Sequence, residues 1–288
     1  MKISEINSQN NVNLSKLSTI KVGGFADVIY YPRHAEELQL LLKLFNEYKI
    51  IGRCSNILFP DGNYGVPIIS LRDFKLFSTK ENVIMAGAGY PLPLLSLQAA
   101  KYGLSGLEFA NAIPASLGGA VYMNAGAFGG CISDVVSAVS YYDKKKGLVE
   151  VAQTYDNSYR YTEFMDHKDR VILTVTMELE PRARKEIKER TASFQKIRYD
   201  TQPYNKPSLG SIFKQEKGEP VWKYIDGVGL RGYAAGDAQF SEKHCNFIVN
   251  NGRAKQKEVL KLIKLAKERV LEQFGVELHE EIEIWNLD

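Results

Sequence analysis

Hydrophobic positions along this chain change period several times, and each change predicts an element. Residues 35–49, AEELQLLLKLFNEYK, repeat their leucines at three- and four-residue spacing and read as an amphipathic helix. The pair Ile50–Ile51, a Gly/Ser/Asn turn, ILF and VPIIS follow as short strands. A second unit opens with VIMAGAG as a strand entering a turn, then LPLLSLQAAKYG as a helix closed by Gly103. The segments VSAVSYYD, GLVEVA and RVILTVTMELEP alternate apolar and polar residues over short lengths, which predicts antiparallel strands.

Pro181 ends that set, and the charged helix KEIKERTASFQKIRYD leads into a new unit, so a domain boundary is placed near residue 190. Beyond a loop rich in Pro, Asn, Ser and Gly lies QKEVLKLIKLAKERVLEQF, where Val259, Leu262, Ile263, Ala266, Val270 and Phe274 share one helical face and Gly275 stops the helix. The terminal ELHEEIEIW predicts a strand with Leu278, Ile282 and Ile284 on one side and Glu277, His279, Glu281 and Glu283 on the other. No internal repeat or low-complexity tract interrupts this order.

Composition narrows the partners more than the fold. With 44% apolar and 25% charged residues over 288 positions, and a net charge of +3 without any dense Lys/Arg block, the chain is globular and carries no footprint for nucleic acid or an anionic membrane. Cys54, Cys131 and Cys245 form no CxxC pair, and the histidines at 34, 167, 244 and 279 lack metal-ligand spacing, so neither a disulfide framework nor a metal site is expected. The N-terminus has no apolar signal core, and no stretch is long enough to span a bilayer, so a cytoplasmic protein is expected.

Seven of the 23 glycines crowd into Gly103–Gly130, a density that admits either a planar ligand lying on the backbone or a tight loop packed on itself. The nearby GAGYPL lacks the third glycine of a dinucleotide turn, and no phosphate-loop, HExxH or GxSxG motif occurs. The turn Gly52-Arg53-Cys54-Ser55-Asn56 can present amides and short side chains to a phosphate or heterocycle, or simply end a strand. Tyr159-Arg160, Ser211 in GSIFK and Glu281 are candidate polar groups that, each taken alone, read more readily as a solvated face, a loop serine and the wet side of an edge strand.

Their order is more specific than any one of them. LSTIKVGGFADV, GRCSNILFPDGNYG, LSGLEFANAIPASLGGAVYMNAGAFG, YRYTEF, RYDTQPYNKPSLGSIFK, GDAQFSEKHCNFIVN and FGVELHEEIEI together resemble the UDP-N-acetylenolpyruvoylglucosamine reductase (MurB) family, in its shorter, type II branch, from about residue 14 to 285. The resemblance implies an α+β fold: a two-part FAD-binding domain of the PCMH (vanillyl-alcohol-oxidase-like) type, its subdomains spanning 1–75 and 76–190, and a C-terminal α+β substrate-binding domain over 191–288. It implies FAD as cofactor and NADPH as hydride donor. The implied reaction reduces the enolpyruvyl ether of a UDP-sugar in peptidoglycan precursor synthesis, carried out by a monomer. A related enol ether or nucleotide sugar, or a non-catalytic binder of the same fold, are the alternatives.

Matched position by position, the resemblance gives Arg160 to the substrate carboxylate, Ser211 to proton delivery and Glu281 to enolate stabilisation. It gives Ser55, Asn56, Ile113, Pro114, Ser116, Gly118 and Gly119 to the flavin, and Tyr159, Lys214, Gln215 and His244 to the UDP-sugar. Gln215 stands where the family's typical residue is asparagine. Four further departures replace the family's usual glycine: Cys54, Ala112, Ala115 and Asp237. A positive φ at any of these would cost about 1 kcal/mol.

Overall fold

The computed structural model describes residues 2–215 and 219–287. The chain forms two compact units that interleave in sequence: Met1–Asn10, Val28–Arg53 and Val66–Lys196 make one, and Asn11–Asp27, Cys54–Gly65 and Ile197–Asp288 the other. This differs from three consecutive segments divided at 75 and 190. In the first unit a single apolar core runs from Ile6 and Leu38 through Leu95 to Leu179, across the position 75 division.

In that first unit the Ala35–Leu44 helix buries Leu38, Leu41 and Leu42, with Glu36 and Glu37 at its positive end and Lys43 at its negative end. Ile68–Ser70 pairs in parallel with Lys49–Ile51. A second sheet is antiparallel, in the order Leu148–Ala152, Val136–Asp143, Arg170–Glu178, Val83–Gly87, Phe77–Lys80. Its Arg170–Glu178 strand buries Val171, Ile172 and Leu173 in succession, so both faces are covered there and the simple alternation is lost.

In the second unit, four antiparallel strands run in the order Ser208–Ser211, Phe247–Asn250, Ala238–Phe240, Ala234–Ala235. The Gln256–Phe274 helix covers them with Val259, Leu262, Ile263, Ala266 and Val270, all at most 3% exposed. It ends where the sequence predicts, on Gly275 at φ +66°. Phe274, expected on the buried face, is 41% exposed and packs its ring against Tyr224.

The predicted terminal strand is shorter than its alternation suggests. Glu283–Ile284 pairs in parallel with Ile57–Leu58, and Glu280 makes a single antiparallel bridge to Phe213. Upstream of it the backbone is shared with a different neighbour, through Lys214 N–H to the His279 carbonyl and Glu281 N–H to the Ile212 carbonyl, both 2.8 Å. Leu278 and Ile282 are buried as the pattern requires.

Candidate active site

The second unit brings Ser211, Glu281 and Asn56 into one backbone neighbourhood. Register in the Ser208–Ser211/Phe247–Asn250 pair shifts between Ser208 and Ser211, and Gly210 inside the shift has φ +80°. This bulge bends the strand and re-aims the residue after it. Asn246, 6% exposed, then clamps the backbone beyond Ser211: its Oδ1 accepts from Phe213 N–H at 3.0 Å and its Nδ2 donates to the Phe213 carbonyl at 2.8 Å. Its own carbonyl accepts from Ile212 N–H at 2.8 Å.

Glu281 is held by the same stretch through the Ile212 carbonyl, and its own carbonyl accepts from Asn56 Nδ2 at 2.9 Å. The Asn56 carbonyl in turn accepts from Glu283 N–H at 2.8 Å. Lys214 follows on the strand's exit, and Gln215 is exposed, donating to the Glu219 carbonyl at 3.2 Å and accepting from Val221 N–H at 3.3 Å.

His244 lies in the turn before Phe247–Asn250, its ring edge-on to Phe247. Its Nδ1 is buried with no hydrogen-bond partner among the described residues. Burial pushes its pKa below the ordinary histidine value, so the ring is neutral near pH 7. An orphaned buried nitrogen of this kind calls for a ligand or water. Burial also pushes the adjacent Cys245 thiol up to about 11, which keeps it protonated and unreactive.

The first unit holds Arg160, Tyr159 and the glycine-dense stretch. Tyr159-Arg160 is the two-residue turn of a small hairpin in which Asn157 pairs Thr162 and Ser158 pairs Tyr161. Arg160 itself adopts φ +55°, an uncommon conformation for a side chain of its size. Its guanidinium donates to the Asn124 carbonyl at 3.5 Å and the Gly126 carbonyl at 3.1 Å and lies 5.1 Å from the Tyr159 ring centroid.

Within the glycine-dense stretch the two explanations separate position by position. A Cβ on Gly118 would sit 2.8 Å from Ala88 Cβ, and one on Gly126 2.6 Å from the Gly130 carbonyl oxygen, so close packing of the chain on itself requires these glycines. Gly119 is exposed, and a Cβ there would meet only the Ser116 hydroxyl, at 3.3 Å. Ser116 caps the short Leu117–Tyr122 helix, its hydroxyl accepting from Gly119 N–H at 3.4 Å. Half-buried Ile113 and exposed Pro114 complete a ledge with few polar side chains. Such a ledge beside a hydroxyl fits the planar, partly polar ring system of a flavin.

Of the four departures from glycine, only Cys54 has positive φ, +52°, and it is 5% exposed. The strained position near Asp237 is filled by Gly236 itself, at φ +60°. Ala112 and Ala115 lie in ordinary backbone, so neither is strained by carrying a Cβ.

Asn246 escaped the sequence reading, although a lone amide amid Cys245, Phe247 and Ile248 is a signal for a buried backbone clamp. Among the described residues no three metal-ligating side chains cluster, and no helix is long and apolar enough to cross a membrane.

Residues 202–285 match the family model for the C-terminal domain of UDP-N-acetylenolpyruvoylglucosamine reductase, and residues 26–152 match an FAD-binding domain model. The UDP-N-acetylenolpyruvoylglucosamine reductase of Pseudothermotoga lettingae is 40% identical over 93% of this chain and 94% of its own. That of Lactobacillus helveticus is 36% identical over 99% and 97%. A solved structure, the UDP-N-acetylenolpyruvylglucosamine reductase of Thermus caldophilus, superposes with a TM-score of 0.84 at 34% identity, covering 98% of this chain and all of that one.

Proposed function

The chain belongs to the UDP-N-acetylenolpyruvoylglucosamine reductase family, and from that premise we propose how its own side chains carry the reaction. It is an FAD-containing, NADPH-dependent oxidoreductase that converts UDP-N-acetylglucosamine enolpyruvate to UDP-N-acetylmuramate. The chemistry supplied by bound FAD is hydride transfer, received from NADPH and passed to the terminal vinyl carbon. Negative charge then develops at the neighbouring carbon and spreads into the carboxylate, and there the protein must supply countercharge and a proton.

Arg160 binds the carboxylate with its planar fork of donors. Ser211 gives its hydroxyl proton to the carbon bearing the negative charge, which completes the lactyl ether. A serine hydroxyl is a weak acid, so it serves only because the acceptor is strongly basic and the donor is held in place. The Gly210 bulge and the Asn246 clamp are the observation that carries this reading, since they fix the backbone on both sides of Ser211.

Glu281 assists the enolate. Tyr159, Lys214, Gln215 and His244 hold the UDP-sugar, and the orphaned His244 Nδ1 supports that role. Ser55, Asn56, Ile113, Pro114, Ser116, Gly118 and Gly119 line the flavin, with Gly118 acting through its packing on Ala88 rather than by direct contact. In this reading the protein is a monomer working in the cytoplasm on peptidoglycan precursors. The test is to purify the chain, record its flavin spectrum and follow NADPH oxidation. Oxidation that depends on the enolpyruvyl substrate is expected, and its absence in FAD-loaded protein would refute the assignment.

A further inference from the structure

Arg160 occupies a backbone conformation that its own chemistry disfavours, so its surroundings must hold it there. The turn is pinned on both of its strands to one stretch, Tyr122–Asn124, at the end of the Leu117–Tyr122 helix. On the incoming side, Asn124 Nδ2 donates to the Ser158 carbonyl at 2.9 Å, while its Oδ1 accepts from Ser133 N–H at 3.2 Å. On the outgoing side, Thr162, fully buried, donates its hydroxyl to the Tyr122 carbonyl at 2.7 Å. The guanidinium then returns to the residues that follow, to the carbonyls of Asn124 and Gly126.

Asn124 is 4% exposed and itself sits at φ +47°, which asparagine tolerates better than most residues. It therefore bonds the turn twice, by side chain to the residue preceding Tyr159 and by carbonyl to the guanidinium. We propose that Asn124 is the positioning residue for Arg160: it fixes where the guanidinium meets the substrate carboxylate without touching substrate itself. This rests on the reading of Arg160 as the carboxylate-binding group. Displacement of a binding group by about 1 Å costs on the order of 100-fold in rate, which sets the scale expected here.

The experiment is a double-mutant cycle in the FAD-loaded full chain, reading kcat and KM for the enolpyruvyl substrate separately, with flavin content as the check on folding. Asn124→Asp keeps the acceptor for Ser133 but turns the donor to Ser158 into a carboxylate oxygen, adding a negative charge at a buried position. Asn124→Gly keeps the left-handed backbone and removes the side chain. Each is expected to lower kcat/KM by about 10- to 100-fold, mainly through KM, and to change it less than about 3-fold when added to Arg160→Ala. If neither Asn124 variant retains flavin, Thr162→Val, which exchanges hydroxyl for methyl on the other strand, enters the same cycle with the same expectation. Unchanged kcat/KM in the single variants overturns the proposal, as does a multiplicative loss in the double variant. Should Arg160→Ala alone leave kcat/KM intact, the reading of Arg160 fails first and the positioning role falls with it.

Discussion

Two regions of this molecule solve one problem in opposite ways. Each must place a polar side chain at a bend where the backbone turns left-handed. At Ser211 the neighbouring Gly210 takes the unusual conformation, φ +80°, and Asn246 holds the backbone just beyond the serine. At Arg160 the arginine itself takes it, φ +55°, and hydrogen bonds from the Tyr122–Gly126 stretch hold it there. Glycine adopts such a bend without steric penalty, so a backbone ladder and one amide clamp are enough support. A strained arginine is held only as well as its neighbours hold it.

That contrast can be broken at several points. Ser211→Ala removes the hydroxyl proposed as proton donor while leaving the bulge intact, so steady-state turnover should fall by about 100- to 10,000-fold with little change in thermal midpoint. A comparable loss of stability would show that Ser211 is a structural residue. Asn246→Ala strips both partners from the buried Phe213 backbone and should destabilise by about 2–3 kcal/mol in urea unfolding. A change below about 0.5 kcal/mol would mean the clamp is dispensable.

Gly210→Ala keeps the contacts, since nothing lies within 4 Å of the added Cβ, and should cost about 1 kcal/mol from φ alone. Activity should fall with it as Ser211 is misaimed. For His244 the folded pKa lies below its unfolded value of 6.5. Its contribution is therefore complete above pH 6.5 and is lost as pH falls from there toward the lower folded value. The urea midpoint of the wild type should drop more steeply across that window than that of His244→Gln, and parallel curves would contradict the burial argument. The smallest effect is expected at Cys54→Gly, where relief of the φ +52° backbone offsets the loss of a buried thiol, leaving stability within about 1 kcal/mol.

The sequence reveals local features well and distant ones poorly. The Gln256–Phe274 helix and its Gly275 cap are legible to the residue, because period, capping and stop signal lie within one segment. The interleaving of the units is not, since ties such as Asn56 to Glu281 join residues far apart and leave no periodic trace. Glycine density signals backbone crowding at 103–130 but not its cause. Gly118 and Gly126 serve the chain's own packing, and Gly119 alone of these three keeps an open face. Strain at Cys54 and Arg160 is invisible in a motif, because neither residue advertises a left-handed backbone as glycine does.

In the proposed mechanism Ser211 delivers the proton in the half-reaction that consumes the enolpyruvyl substrate. Anaerobic stopped-flow spectroscopy of FAD-loaded Ser211→Ala measures the two half-reactions separately. Flavin reduction by NADPH at the wild-type rate, with reoxidation by substrate slowed by the full steady-state factor, is the predicted result. Equal slowing of both half-reactions, or reoxidation at the wild-type rate, would contradict it.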